Sequence, residues 1–337
     1  MNNYERFMKT LRGEKTDRVP LFPLLMFIAI DRAGITYRQF ATDAKALAET
    51  QLMMQDKYDM DAITACSDAF RLSGALGGEM AYPESKPPHL EKPLVTSASD
   101  IDKLGKPDPA DRANRMGDRT YSVAEMAKAA GKRFAVLGWV DMPFAEACSV
   151  CGVENFMIML VSDPSGAHKI LEFLTERVIE FSLAQAEAGA DMIGAGDAVA
   201  SLISPEMYRE FALPYEQRVC NAVHDRNCLL KLHICGNTTA LLDDMAKCGA
   251  DLFNVDHMVS LEKSRDVYSS NHTAYKGNLD PVADIMQSTP ETCRAKAHEC
   301  IKLAEGTRYM LSAGCEIPAE TPEETWLAFC NAPKTYE

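Results

Sequence analysis

The chain has 337 residues, with 35 Lys and Arg against 49 Asp and Glu, a formal charge of -14, and 47% hydrophobic residues. With no run of Lys or Arg, that acidic balance excludes nucleic acid and an anionic membrane surface as partners, because both would be repelled. The first ten residues lack an apolar signal core, no apolar stretch nears the roughly 18 residues needed to span a bilayer, and the eleven cysteines lack framework spacing, so a cytoplasmic protein in a reducing compartment is expected.

In chain order, eight short apolar runs stand out: 19–26, 61–66, 134–140, 191–196, 228–234, 251–255, 273–277 and 308–312. They are continuous rather than alternating, which suits parallel strands covered on both faces. Most are separated by helical patterns whose starts are legible. Asp163-Pro164, Ser204-Pro205, Thr289-Pro290 and Thr321-Pro322 each place a capping side chain before a proline at the first helical position, and Thr321 with Glu324 has the spacing of a capping box. Ile170, Leu174, Val178 and Phe181 recur at helical spacing until Gly189 supplies a stop. Strand and helix alternating eight times predicts one (β/α)8 TIM barrel over residues 1–337, with an N-terminal helical extension. The Pro- and Gly-rich stretch 73–120, between runs two and three, is too long for a turn and is expected to form an excursion or lid over the mouth.

Chemistry concentrates where runs end, since barrel active sites lie at the C-terminal ends of the strands. His233 and Cys235 close the fifth run and Cys315 follows the eighth, so two distant segments can deliver one imidazole and two thiolates to one point. That donor set suits Zn2+, and three protein ligands with one open position is the catalytic arrangement. Asp197, Asp256 and Glu316 are the carboxylates expected near it, as orienting groups, bases or acids. Cys148-Ser-Val-Cys151 has redox spacing but lacks the strand-to-helix context. Gly194-Ala-Gly196 fails the dinucleotide pattern, because Val199 stands where a third glycine belongs.

Several segments carry a resemblance: Arg18-Val-Pro, residues 202–215 from Leu202-Ile-Ser-Pro-Glu through Leu-Pro-Tyr215, Leu232-His-Ile-Cys-Gly-Asn237, Gly277-Asn-Leu-Asp-Pro281 and Gly314-Cys315. The chain resembles the uroporphyrinogen decarboxylase superfamily over almost its whole length, specifically its zinc-dependent, corrinoid-linked methyltransferase branch. The resemblance implies zinc held by His233, Cys235 and Cys315, and a methyl group passing between a separate corrinoid (cobalamin) protein and a small-molecule donor or acceptor, most simply a thiol such as coenzyme M. Other activities to weigh are demethylation of a methoxylated or N-methylated compound onto a corrinoid protein, uroporphyrinogen decarboxylation, metal-dependent hydrolysis, and a non-catalytic zinc barrel. The decarboxylase is disfavoured by Ile30-Asp-Arg-Ala-Gly-Ile35, which lacks the second arginine that branch uses against a polycarboxylate.

Overall fold

A computed structural model describes residues 1–336. Seven strands form one parallel sheet in sequential order: β1 (Ala62–Thr64), β2 (Ala135–Asp141), β3 (Met192–Gly196), β4 (Leu229–His233), β5 (Leu252–Asn254), β6 (Ala274–Leu279) and β7 (Tyr309–Ala313). The first apolar run closes the ring without becoming a full strand. Leu21 bridges Leu311 in parallel, Leu311 N donates to Pro20 O at 2.8 Å, and Asp61 N donates to Leu21 O at 2.9 Å. Proline explains the shortness, since Pro20 and Pro23 flank the bridge and neither has an N–H for a ladder. The other seven runs all contain strands, and the whole is the expected TIM barrel.

Along each strand alternate residues point inward. Ala62, Ala135, Leu137, Met192, Leu252, Ala274 and Met310 join Phe22 in one buried cluster at the bottom, which Phe7 and Leu11 close from below. Both come from the N-terminal helix Asn3–Arg12, started by a reciprocal cap between Asn2 and Glu5. Higher in the barrel the Trp139 ring lies against Gly194 and Gly196, where a Cβ would come within 2.7 and 3.2 Å of it. The two glycines of the Gly-Ala-Gly segment therefore make room for an indole, not for a phosphate.

Asp163, Ser204 and Thr289 cap their helices as expected, each side chain accepting from a backbone N–H three residues on. Thr321 does not. Its hydroxyl donates to Pro318 O at 2.8 Å, and the helix Glu323–Thr335 starts one residue later with no side-chain cap. The 73–120 stretch is also more ordered than an excursion. The helix Arg71–Ala75 runs into it, a hairpin pairs Met80–Ala81 with His89–Leu90, and the helix Arg115–Ala130 begins before it ends. The tip of that hairpin reaches the rim, where Glu84 and Ser85 help line a cavity of about 750 Å³ with Phe27, Tyr37 and Glu316. All eleven cysteines are free thiols, Cys148 and Cys151 being buried in the helix Pro143–Cys151. Among the described residues no single helix is long and apolar enough to cross a membrane.

Candidate metal centre

His233 is the last residue of β4, and the two-residue step to Cys235 keeps both side chains on the inner face. The His233 Nε2 lies 3.1 Å from Cys235 Sγ, which lies 3.7 Å from Cys315 Sγ, and the three ligand atoms fall within 4.8 Å of one another. A tetrahedral ion with Zn–S bonds of 2.3 Å would separate two sulfurs by about 3.8 Å, so the thiol pair already stands at ligand spacing. The imidazole would have to move back by a few tenths of an ångström, because the corresponding N···S edge is roughly 3.5 Å. The donor set therefore fits zinc. The hydrogen bond from Cys235 draws the Cys315 pKa down, and the same bond with burial pushes Cys235 up.

Asn254, on the inner face of β5, joins the two halves of the site. Its carbonyl lies 3.1 Å from His233 Nδ1, so Nδ1–H donates there and Nε2 turns a lone pair toward the sulfurs. Its side-chain amide donates to Gly314 O at 3.1 Å, next to Cys315, while its Oδ1 has no hydrogen-bond partner among the described residues. Two glycines are required here. Gly236 holds φ +88, in the left-handed region, and a Cβ on Gly314 would lie 2.2 Å from His257 N. Below the sulfurs, Lys231 is fully buried with its Nζ 4.6 Å from the Trp139 ring centre, and burial pushes its pKa down to about 8 against the pull of Cys66, Cys235 and Cys315.

The family profile described as uroporphyrinogen decarboxylase (URO-D) matches residues 2–336. The chain belongs to the uroporphyrinogen decarboxylase family. Among its relatives, a methylcobamide:CoM methyltransferase MtbA of Methanosarcina mazei is 27% identical over 338 residues, covering 98% of this chain and 97% of the relative. A uroporphyrinogen decarboxylase of a Synechococcus strain is 25% identical over 344 residues, covering 97% and 95%. A solved methyltransferase from Methanosarcina mazei superposes with a TM-score of 0.88 at 24% identity, covering 99% of this chain and 98% of that one. Enzymes of both kinds thus share this fold and family.

The three carboxylates expected from sequence occupy different places on this family barrel. Asp256 is buried beside the centre, its Oδ2 accepting from Gly236 N at 2.9 Å and its Oδ1 from Met258 N at 2.9 Å, with His257 Nδ1 3.1 Å from Oδ1. Glu316 accepts from Met26 N and Phe27 N at 2.6 and 2.7 Å, which ties the segment after β7 to the ring-closing segment; burial pushes its pKa up. Asp197 is placed away from the mouth where sequence reading expected it. Inward alternation runs through Met192, Gly194 and Gly196, so Asp197 turns outward into the helix layer, fully buried against Glu216. Burial pushes both acids up, Glu216 to about 7, and Glu216 Oε2 accepts from Tyr208 Oη at 2.5 Å. Asn254, Trp139, Lys231 and Asp141 face the interior and were missed. Counting in twos along each strand would have found them.

Proposed function

We propose that this chain is a zinc-dependent methyltransferase that moves a methyl group from a corrinoid carried by a partner protein to a small thiol. The observation that carries this is the convergence of His233, Cys235 and Cys315 within 4.8 Å at the barrel mouth. Those residues would hold the zinc, which lowers the pKa of a bound thiol so that the nucleophilic thiolate is present at neutral pH. Two thiolates and a neutral imidazole leave the site without net charge, which favours a nucleophilic thiolate over strong activation of an ether oxygen. Asn254 fixes the His233 tautomer and braces the Cys315 segment, Asp256 holds the turn after Cys235, and Glu316 anchors the chain after Cys315. Asp197 supports the wall from behind. The loops after β3, β5 and β6 expose Leu202, Met258 and Val282 at 71%, 56% and 40%, which gives a partner an apolar rim to dock on. Relatives named for methyl transfer between methylcobamide and coenzyme M support the reading.

Decarboxylation is the second reading, since relatives of that name are equally similar. Against it, Arg32 is engaged elsewhere, with its Nε donating to Glu323 Oε2 at 2.9 Å and a terminal nitrogen donating to Thr321 O at 2.6 Å. Zinc-loaded protein, methylcobalamin and coenzyme M should give S-methylated product and a demethylated corrinoid spectrum. Zinc-independent formation of coproporphyrinogen from uroporphyrinogen, with no methyl transfer to any thiol, would overturn the proposal. Methylation of the corrinoid by a methoxylated or N-methylated compound, with no methylation of any thiol, would reverse its direction.

A further inference from the structure

We propose that Asp141 takes the exchangeable proton of the substrate thiol, an inference that rests on the methyl-transfer reading above. Asp141 ends β2, and because Ala135, Leu137 and Trp139 face the interior, the same alternation turns its carboxyl inward at the mouth. In register Asp141 pairs with Gly196, and Gly196 pairs with His233. Only a residue without a side chain therefore separates the carboxyl from the metal-centre strand. Asp141 overhangs that gap, since a Cβ on Gly196 would lie 3.0 Å from its Oδ1. Two strand spacings, roughly 10 Å of backbone, leave room for a small substrate between Asp141 and the ligands.

The carboxyl is 8% exposed, and of the described residues only the Trp139 indole offers it a hydrogen bond. The other acids near the mouth are committed. Asp256 has both oxygens occupied by backbone donors, Glu316 has one oxygen so occupied and the other closed off from solvent, and Asp197 lies behind the wall. Charged groups act on Asp141 from each neighbouring element: Arg119 from the helix Arg115–Ala130, Asp68 from the loop after β1, Glu146 from the helix Pro143–Cys151, and, from behind the wall, Asp197 after β3. Burial outweighs the pull of Arg119 and pushes Asp141 up to about 7, where it can both accept and return a proton near neutrality.

The step balances. The S–H bond of the thiol breaks, its electron pair stays on sulfur, and an O–H bond forms on Asp141. That sulfur pair then forms the S–CH3 bond as the carbon–cobalt bond of the methylcorrinoid breaks, its electron pair staying on cobalt. Asp141 afterwards returns the proton to water.

The test is calorimetric titration of zinc-loaded protein with coenzyme M and with 2-mercaptoethanol at pH 8, in two buffers of unlike ionisation heat, which counts protons released per thiol bound. At pH 8 Asp141 is mostly ionised before the thiol arrives, and the negative charge of the bound thiolate raises it further, so wild type should release clearly less than one proton, Asp141→Asn about one, and Asp141→Glu should behave like wild type. Equal counts in wild type and Asp141→Asn would overturn the assignment whatever the affinities. Should the Asn variant fail to fold, a full proton released by wild type alone would overturn it too. Failure of wild type to bind either thiol has a different signature, no saturable heat at all, and would bring down the methyl-transfer reading together with this one.

Discussion

The bottom and the mouth of the same barrel are built by opposite rules. At the bottom, Phe7, Leu11, Phe22, Leu137, Met192 and Met310 fill the interior with apolar volume, and at its upper edge the Phe22 ring faces the buried Lys276 ammonium at 4.0 Å. At the mouth, side chains are small, polar or missing: Gly196, Gly236 and Gly314 let segments approach closely, and Asn254 and Asp256 spend hydrogen bonds on backbone groups that carry the ligands. Stability is thus a matter of volume at one end, and function a matter of position at the other.

Substitutions can break this contrast. Cys235→Ala or Cys315→Ala should reduce bound zinc to a small fraction of one per chain and lower methyl transfer by more than roughly 100-fold, with little change in the urea midpoint; full zinc occupancy by elemental analysis would refute the ligand set. Leu137→Ala, at the bottom, should instead cost about 2–5 kcal/mol in urea unfolding while the folded fraction keeps its zinc. A metal loss in that variant would show that the two ends are not separable. Asn254→Ala should weaken zinc binding by roughly 10–100-fold in competition with a chelating dye, because it frees His233 and the Cys315 segment at once. Unchanged affinity would reduce Asn254 to packing.

The smallest effect belongs to the outer wall and depends on pH. Burial lifts Glu216 from 4.5 to about 7 in the folded chain. A raised pKa means that the folded state holds its proton longer than the unfolded state does, so its contribution is complete below about 4.5 and is lost as pH rises through about 7. Glu216→Gln should therefore gain stability relative to wild type between those values, by about 1–3 kcal/mol, and the difference should level off above them. A difference that does not vary with pH would mean that Glu216 is not raised in the folded chain.

What the sequence showed and what it hid follow from periodicity. Continuous apolar runs identified all seven strands of the barrel sheet but neither strand of the 80–90 hairpin, and His233 and Cys235 stood out because a step of two keeps both on one face. Asp197 misled because it directly follows Gly196 and its parity sends it outward, whereas Asp141 went unnoticed although it continues the inward series through Trp139. Thr321 looked like a cap, but the preceding turn engages its hydroxyl. Counting in twos places Asn254 on the inner face but does not say what it holds. Its partners, His233 and Gly314, lie 21 and 60 residues away, and only the closed ring brings them together.

The ring itself is unevenly sewn. Between β7 and β1 the only strand-like connection among the described residues is the single rung at Leu21, beside prolines that cannot donate, and Glu316 pins the segment just beyond it. Cys315 hangs beside that thin seam, whereas His233 and Cys235 rise from a strand hydrogen-bonded on both sides. Amide exchange should be fastest along the seam and slowest in β4, which carries His233 and is paired on both sides.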